Sequence, residues 1–436
     1  MKCILGVYKK IQLFRFASSI PHPEAKWLMR HTRLHHSARV SGSSRLAVGQ
    51  RTSMDPGLHI ADGGGGVFET PPPLTPNFQI PPPQFLNSSR LSSRITLIPS
   101  FDLPPRPSSK MSIPRPPLDP DLDHALSKFD PNSSLATPEA LETRRKGVHL
   151  TWSSISASVS DKIAHAEATI TGPDGTQLPV SILRSTNPSH QSTPASEKAC
   201  ILHFHGGGFC TANRFHGLNV LFDLVTELNV IVVSPEYRLS PEHAQPAQVE
   251  DCYVALLWTA NHASDPILGF NVEKLILCGG SAGGNLAAGV SLLARDRSGP
   301  KILAQMLFYP WLEDSGTSLS ISQFGDVQPW RTQDNITALD WALGKNRENK
   351  SIYTVPGSAT VEDLKGLPTT YVDVGEADVF RVEDVEFVSR LWAAGISCEF
   401  HVWPGAWHAF DTFAPGVEVS QRAVRTRGEW VHRLIR

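Results

Sequence analysis

Cysteine is scarce in this chain. The six residues, at positions 3, 200, 210, 252, 278 and 398, show none of the paired spacings that hold a metal. A disulfide scaffold and a cysteine-based zinc site are thereby excluded, and several of the six fall in apolar stretches, where they read as buried thiols of a reducing compartment. No run of eighteen apolar residues occurs, so hydropathy offers no transmembrane helix. Internal repeats are lacking as well. Acidic residues are missing from one end in particular: residues 1–110 carry fourteen Lys or Arg against five acids, a net of +9, which leaves about −11 of the total −2 for residues 111–436. The larger part therefore has no electrostatic case for nucleic acid.

The N-terminal stretch divides by composition. Residues 1–53 are basic, with Glu24 the lone acid, and their makeup is that of a mitochondrial transit peptide; Lys9, Lys10 and Arg15 interrupt the apolar run that a secretory signal needs. Residues 54–117 are rich in Pro, Ser and Gly, including Pro71-Pro72-Pro73, Pro81-Pro82-Pro83 and Pro104-Pro105. Such a segment buries too little apolar surface to offset its ordering entropy, so it is expected to be a disordered or partly polyproline linker rather than a ligand for a proline-binding module. Initiation at Met111 would bypass both. A cytoplasmic location is expected, or a mitochondrial one if the basic tail is a transit peptide. The sequons at Asn87, Asn132 and Asn335 would matter only in a secreted chain.

From residue 118 onward the pattern changes to alternating strands and helices. Ala166–Ile170 and Leu178–Leu183 flank Pro173-Asp174-Gly175 and read as an antiparallel edge hairpin. Strands follow at 199–204, 230–234, 274–279, 302–308, 369–374 and 398–403, with helical segments near 214–228, 246–261, 282–296, 383–394 and 418–434. This alternation predicts an α/β fold: a mostly parallel eight-stranded sheet with helices on both faces. At about 300 residues it can bury its core as one unit.

Ser281 lies in Gly279-Gly280-Ser281-Ala282-Gly283, after the apolar run Leu275–Cys278 and before a helical stretch. Strand, glycine-flanked serine and helix make a nucleophile elbow, because glycines two before and two after let strand and helix approach closely. About seventy residues earlier, His205-Gly206-Gly207-Gly208-Phe209 follows another predicted strand. Consecutive glycines there expose backbone N–H groups with no side chain in the way, which suits an oxyanion hole. Asp378 and His408 complete the order Ser, Asp, His expected of this fold, each in a loop just past a strand. His203, His205 and His401 are assigned structural places.

These segments, with Tyr237-Arg238-Leu239-Ser240-Pro241-Glu242, resemble the hormone-sensitive-lipase-like branch of the α/β-hydrolases, serine carboxylesterases with an HGGG loop. The resemblance spans residues from about 118 to the end. It implies Ser281 as nucleophile, Asp378 as orienting acid, His408 as base, and an oxyanion hole from Gly206, Gly207, Gly208 and Ala282, the donors being the N–H groups of Gly207, Gly208 and Ala282. Two departures stand out. The residue before the nucleophile, usually Asp, is Gly280, and the acid segment, commonly D-x-L-x-D-E, has Val382 at its second Asp. Glu376 and Glu383 are the weaker candidates for the acid. Tyr237 and Arg238 are expected to buttress the oxyanion loop.

The resemblance also implies a helical cap built from residues 120–146 and 314–356. Phe324, Trp330 and Trp341 in the insertion, with Phe209, are the candidate walls of an acyl or alcohol pocket, although each would equally serve a small core of the cap. The expected activity is hydrolysis of small to medium carboxylic esters through an acyl-serine, with no metal or organic cofactor. The partner is a small-molecule ester; a homodimer is left open. The same triad would serve an arylformamidase, a lactonase or a tailoring hydrolase of secondary metabolism. A non-catalytic ligand receptor on the same fold is the reading of another class, and His408 in its loop argues against it.

Overall fold

The computed structural model describes residues 113–130 and 133–436. The basic tail, most of the Pro-rich segment, Cys3 and the sequons at Asn87 and Asn132 lie outside the described residues. Pro114 and Arg115, N-terminal to the expected boundary at 118, already engage the insertion: Gln323 donates to the Pro114 carbonyl at 2.6 Å, and Arg115 pairs with Asp326 at 2.8 Å.

Eight strands form one sheet: β1 (Ile163–Thr171), β2 (Gln177–Ser185), β3 (Cys200–Phe204), β4 (Ile231–Pro235), β5 (Leu275–Gly280), β6 (Ala304–Phe308), β7 (Thr369–Gly375) and β8 (Cys398–Trp403). Their order is β1-β2-β4-β3-β5-β6-β7-β8. β1 and β2 pair antiparallel, β2 runs antiparallel to β4, and the rest is parallel. The expected hairpin is therefore the sheet edge, closed by Gly175 at φ +87°, a conformation that glycine adopts without penalty.

The central strands read as continuous apolar runs because both faces are covered. Cys200, Leu202, Phe204, Leu277, Leu307 and Val372 point to one side, against Val249, Leu286 and Phe387. Those three come from helices α4 (Ala247–Asn261), α5 (Ala282–Asp296) and α8 (Arg381–Ala393). The alternate residues Ile201, Ile276, Cys278, Met306 and Phe308 point to the other side, against Leu224, Trp430 and Val431. These belong to α3 (Phe222–Leu228) and α9 (Glu418–Ile435). Burying one such leucine stabilises the fold by about 1.5–3 kcal/mol.

The helix expected from 214 starts later. Gly217 has φ +81°, followed by a single 3₁₀ turn at Leu218–Leu221 and then α3, because the left-handed residue breaks any helix through it. The two segments expected to form a cap hold α1 (Pro120–Leu126), α2 (Pro138–Val148), α6 (Leu319–Phe324) and α7 (Thr332–Leu343). Asp119 and Thr137 cap α1 and α2, each followed by proline at the first turn, the position where its missing N–H costs nothing. Among the described residues, no helix is long and apolar enough to cross a membrane. The five described cysteines are unpaired, and all but the half-buried Cys398 are buried.

Candidate active site

β5 delivers Ser281 at φ +57°, ψ −121°, directly ahead of α5. A non-glycine residue in that region costs on the order of 1–3 kcal/mol, held in place by its surroundings. Here the surroundings are tight: a side chain on Gly279 would run into the Gly283 carbonyl, and one on Gly283 into the Phe204 carbonyl. The turn can form only with glycine on both sides.

The structure brings the three expected residues together. His408 Nε2 lies 2.9 Å from Ser281 Oγ, and His408 Nδ1 lies 2.9 Å from Asp378 Oδ2. Asp378 is fully buried, and its other oxygen accepts from the Phe380 N–H at 3.0 Å. The alternative acids are engaged elsewhere. Glu376 accepts from Gly405 N–H, and Glu383 accepts from the N–H groups of Leu312 and Glu313.

Gly206, Gly207 and Gly208 line the cavity beside Ser281 and His408. The Gly207 carbonyl is turned away, accepting from Thr211 N–H at 2.9 Å. Among the described residues, the N–H groups of Gly207, Gly208 and Ala282 donate to no backbone or side-chain acceptor. The loop is braced from behind: Tyr237 stacks on His205 at 4.1 Å, and its hydroxyl donates to the His205 carbonyl at 2.7 Å. Burial lowers the pKa of His205 to about 4, so the ring is a neutral prop. Arg238 pairs with Asp251 and Asp174, away from the site.

Of the four aromatics expected in the pocket, only Trp330 lines it. Its ring sits against Gly208, where any side chain would collide with it, and its Nε1 donates to Asn335 Oδ1 at 3.1 Å. That bond also buries the Asn335 sequon. Phe209, Phe324 and Trp341, expected in the pocket wall, lie outside its lining. Phe209 turns into the core and stacks on Trp311 at 5.3 Å. Phe324 is 1% exposed and lies beneath the guanidinium groups of Arg115 and Arg381. Trp341 packs half-buried against the main core. An aromatic in a short insertion is needed first for the insertion's own packing.

Residues absent from the sequence reading hold the histidine. His408 makes T-shaped contacts with the rings of Tyr309 and Phe380, with ring centroids at 5.1 and 4.9 Å. Tyr309 also bears on Gly280: a Cβ there would lie 3.1 Å from the Tyr309 ring, so the family's usual Asp would need that ring to give by a few tenths of an ångström. Tyr309 donates to Asp411 at 2.9 Å. Arg427, on α9, joins Asp411 to Asp373, with 2.7 and 2.9 Å bonds to the latter. All three charged side chains are at most 2% exposed. Arg427→Met should cost about 3–5 kcal/mol, because it strands two buried carboxylates. Denaturant titration should show the loss, and kcat should fall more than KM changes as the His408 loop loosens. Unchanged stability would mean that the network is not formed.

Asp384, also buried, has no hydrogen-bond partner for either carboxylate oxygen among the described residues. Burial, and then the nearby Glu383, Asp378 and Asp373 carboxylates, push its pKa well above the ordinary value. The folded chain thus keeps a proton that the unfolded chain has lost, and stability falls as pH rises above the usual carboxylate range, by up to about 1.4 kcal/mol per pH unit. Asp384→Asn should therefore raise the Tm more at pH 8 than at pH 4.5; equal shifts would refute the assignment.

The profile of a family described as alpha/beta hydrolase fold matches residues 201–412. Esterase LipI of Mycobacterium tuberculosis is 31% identical over 229 residues, 52% of this chain and 70% of its own length. The chain belongs to the hormone-sensitive-lipase-like α/β-hydrolases. An arylesterase of Saccharolobus solfataricus is 32% identical over 213 residues, 48% of this chain and 67% of that one. Among solved structures, a bacterial heroin esterase superposes with a TM-score of 0.66 at 32% identity, covering 73% of this chain and 98% of its own.

Proposed function

We propose that Ser281, His408 and Asp378 carry out ester hydrolysis through an acyl-serine. Membership of this family makes the chain a carboxylic ester hydrolase, and the observation that supports the assignment of residues is the continuous Ser281–His408–Asp378 hydrogen-bond chain beside unengaged backbone donors. His408 Nε2 takes the proton from Ser281 Oγ as it attacks the carbonyl carbon. Asp378 holds the ring with its proton on Nδ1 and stabilises the imidazolium. The N–H groups of Gly207, Gly208 and Ala282 take the oxyanion, each such donor contributing about 3 kcal/mol in comparable hydrolases. His408 then passes its proton to the leaving alcohol, and water activated by the same ring releases the acid.

The cavity, about 80 Å³ and walled by Trp330, Phe308 and Phe413, favours small to medium esters. A panel of p-nitrophenyl esters from two to twelve carbons, run beside formanilides and lactones, tests this. Highest kcat/KM on the two- to six-carbon esters is the expected result. Faster turnover of a formanilide or lactone than of every ester would reassign the substrate class while leaving the triad in place.

A further inference from the structure

His203, on β3, lines the same cavity as Ser281, Gly206 and His408, yet it takes no part in the ester chemistry. It is 3% exposed, and the residues behind it fix its tautomer. Ser234 Oγ donates its own proton to the Arg214 carbonyl at 2.8 Å. At 3.1 Å from His203 Nδ1, that hydroxyl can then only accept. Nδ1 therefore carries the ring proton, and Nε2 is a bare lone pair. Burial, with His205 and His216 close by, holds the pKa of His203 down to about 3, so the ring remains neutral.

No group among the described residues donates to Nε2. It faces Gly217, where a Cβ would stand 3.5 Å away, and Gly217 itself lines the cavity. Two other polar walls, Tyr309 and Arg144, are engaged elsewhere. Tyr309 donates to Asp411, and Arg144 is held by Ser133 at 2.9 Å and Asp334 at 3.4 Å. A buried acceptor aimed into a substrate cavity is a specificity device, since a partner without a donor leaves it dry and unpaired.

We propose that the part of the substrate lodged in this cavity carries a hydroxyl group that donates to Nε2 of His203. The proposal rests on Ser281 being the nucleophile of an esterase. Strand register sets His203 beside Cys278, three residues before Ser281, which at roughly 3.3 Å per residue is about 10 Å along the sheet. The hydroxyl therefore lies several bonds from the ester carbonyl. The small volume favours a hydroxyl over a bulkier donor.

Matched esters test it: 4-hydroxybutyl acetate against pentyl acetate for the alcohol side, and methyl 6-hydroxyhexanoate against methyl heptanoate for the acyl side. One pair should show a preference of about 10- to 100-fold in kcat/KM for the hydroxylated member, and which pair does so identifies the side. Ser234→Ala removes the acceptor that fixes the tautomer and should bring that ratio close to one, while Ser234→Thr should restore it. Hydrolysis of p-nitrophenyl acetate is followed in parallel, so failure of the esterase reading is seen separately. In that event, calorimetric binding of the same pairs to the Ser281→Ala protein supplies the ratio. Equal treatment of both members of both pairs would overturn the proposal, as would a preference that survives His203→Phe. A larger preference for monomethyl heptanedioate, lost in Arg144→Gln, would assign the polar end to Arg144 instead and overturn it too.

Discussion

Ser281→Ala should lower kcat by about 10⁴- to 10⁶-fold, the range in which removal of a serine nucleophile leaves only binding and oxyanion stabilisation. The Tm should stay within a degree or so. Alanine can occupy the same strained φ as serine, and among the described residues the only hydrogen bond lost is that of the hydroxyl to His408; the Ser281 N–H still donates to the Phe308 carbonyl at 2.9 Å. A fluorophosphonate probe should label the wild-type protein once and the variant not at all. Retention of more than a few per cent of activity at unchanged stability would show that another serine is acylated.

Why this serine could be picked out from sequence, and the groups around His408 could not, is a matter of range. The elbow is local: five residues, with a strand before and a helix after, determine the turn, and the alternation of apolar runs fixed the strands to within two or three residues at each boundary. Asp378 and His408 were legible because the fold orders its loops along one sheet edge. Tyr309 and Asp411 are 102 residues apart, and Arg427 reaches Asp373 across 54. Nothing in the spacing of these residues marks them, since their roles exist only once β6, β7 and α9 are packed. The pocket aromatics failed for a related reason. Composition says that Phe209, Phe324 and Trp341 must be buried somewhere, but which side of a loop or short helix faces the cavity depends on what else needs covering. His203 is legible as a strand residue, and it is one; the open Nε2 follows only from Ser234, on the neighbouring β4, using its proton elsewhere.

Asp378→Asn should lower kcat by about 10⁴-fold at neutral pH, with KM little changed, because the amide misassigns the proton on His408. The structure decides which way the amide will turn. The Phe380 N–H already donates to one oxygen of Asp378, so in the variant that position keeps the carbonyl oxygen, and the NH₂ group is left facing His408 Nδ1. An N–H donor there forces Nδ1 to accept, which moves the ring proton to Nε2, the atom that must receive the proton from Ser281. Glu376→Gln and Glu383→Gln should each cost less than tenfold. Their oxygens accept from backbone N–H groups of Gly405, Leu312 and Glu313, and a glutamine oxygen can accept from the same donors. Steady-state kinetics on p-nitrophenyl acetate, with the melting temperature of each variant measured alongside, separates a tautomer effect from a loss of fold. If either glutamine variant proves crippled while Asp378→Asn remains active, the carboxylate assignment falls, and Ser281 and His408 stand without it.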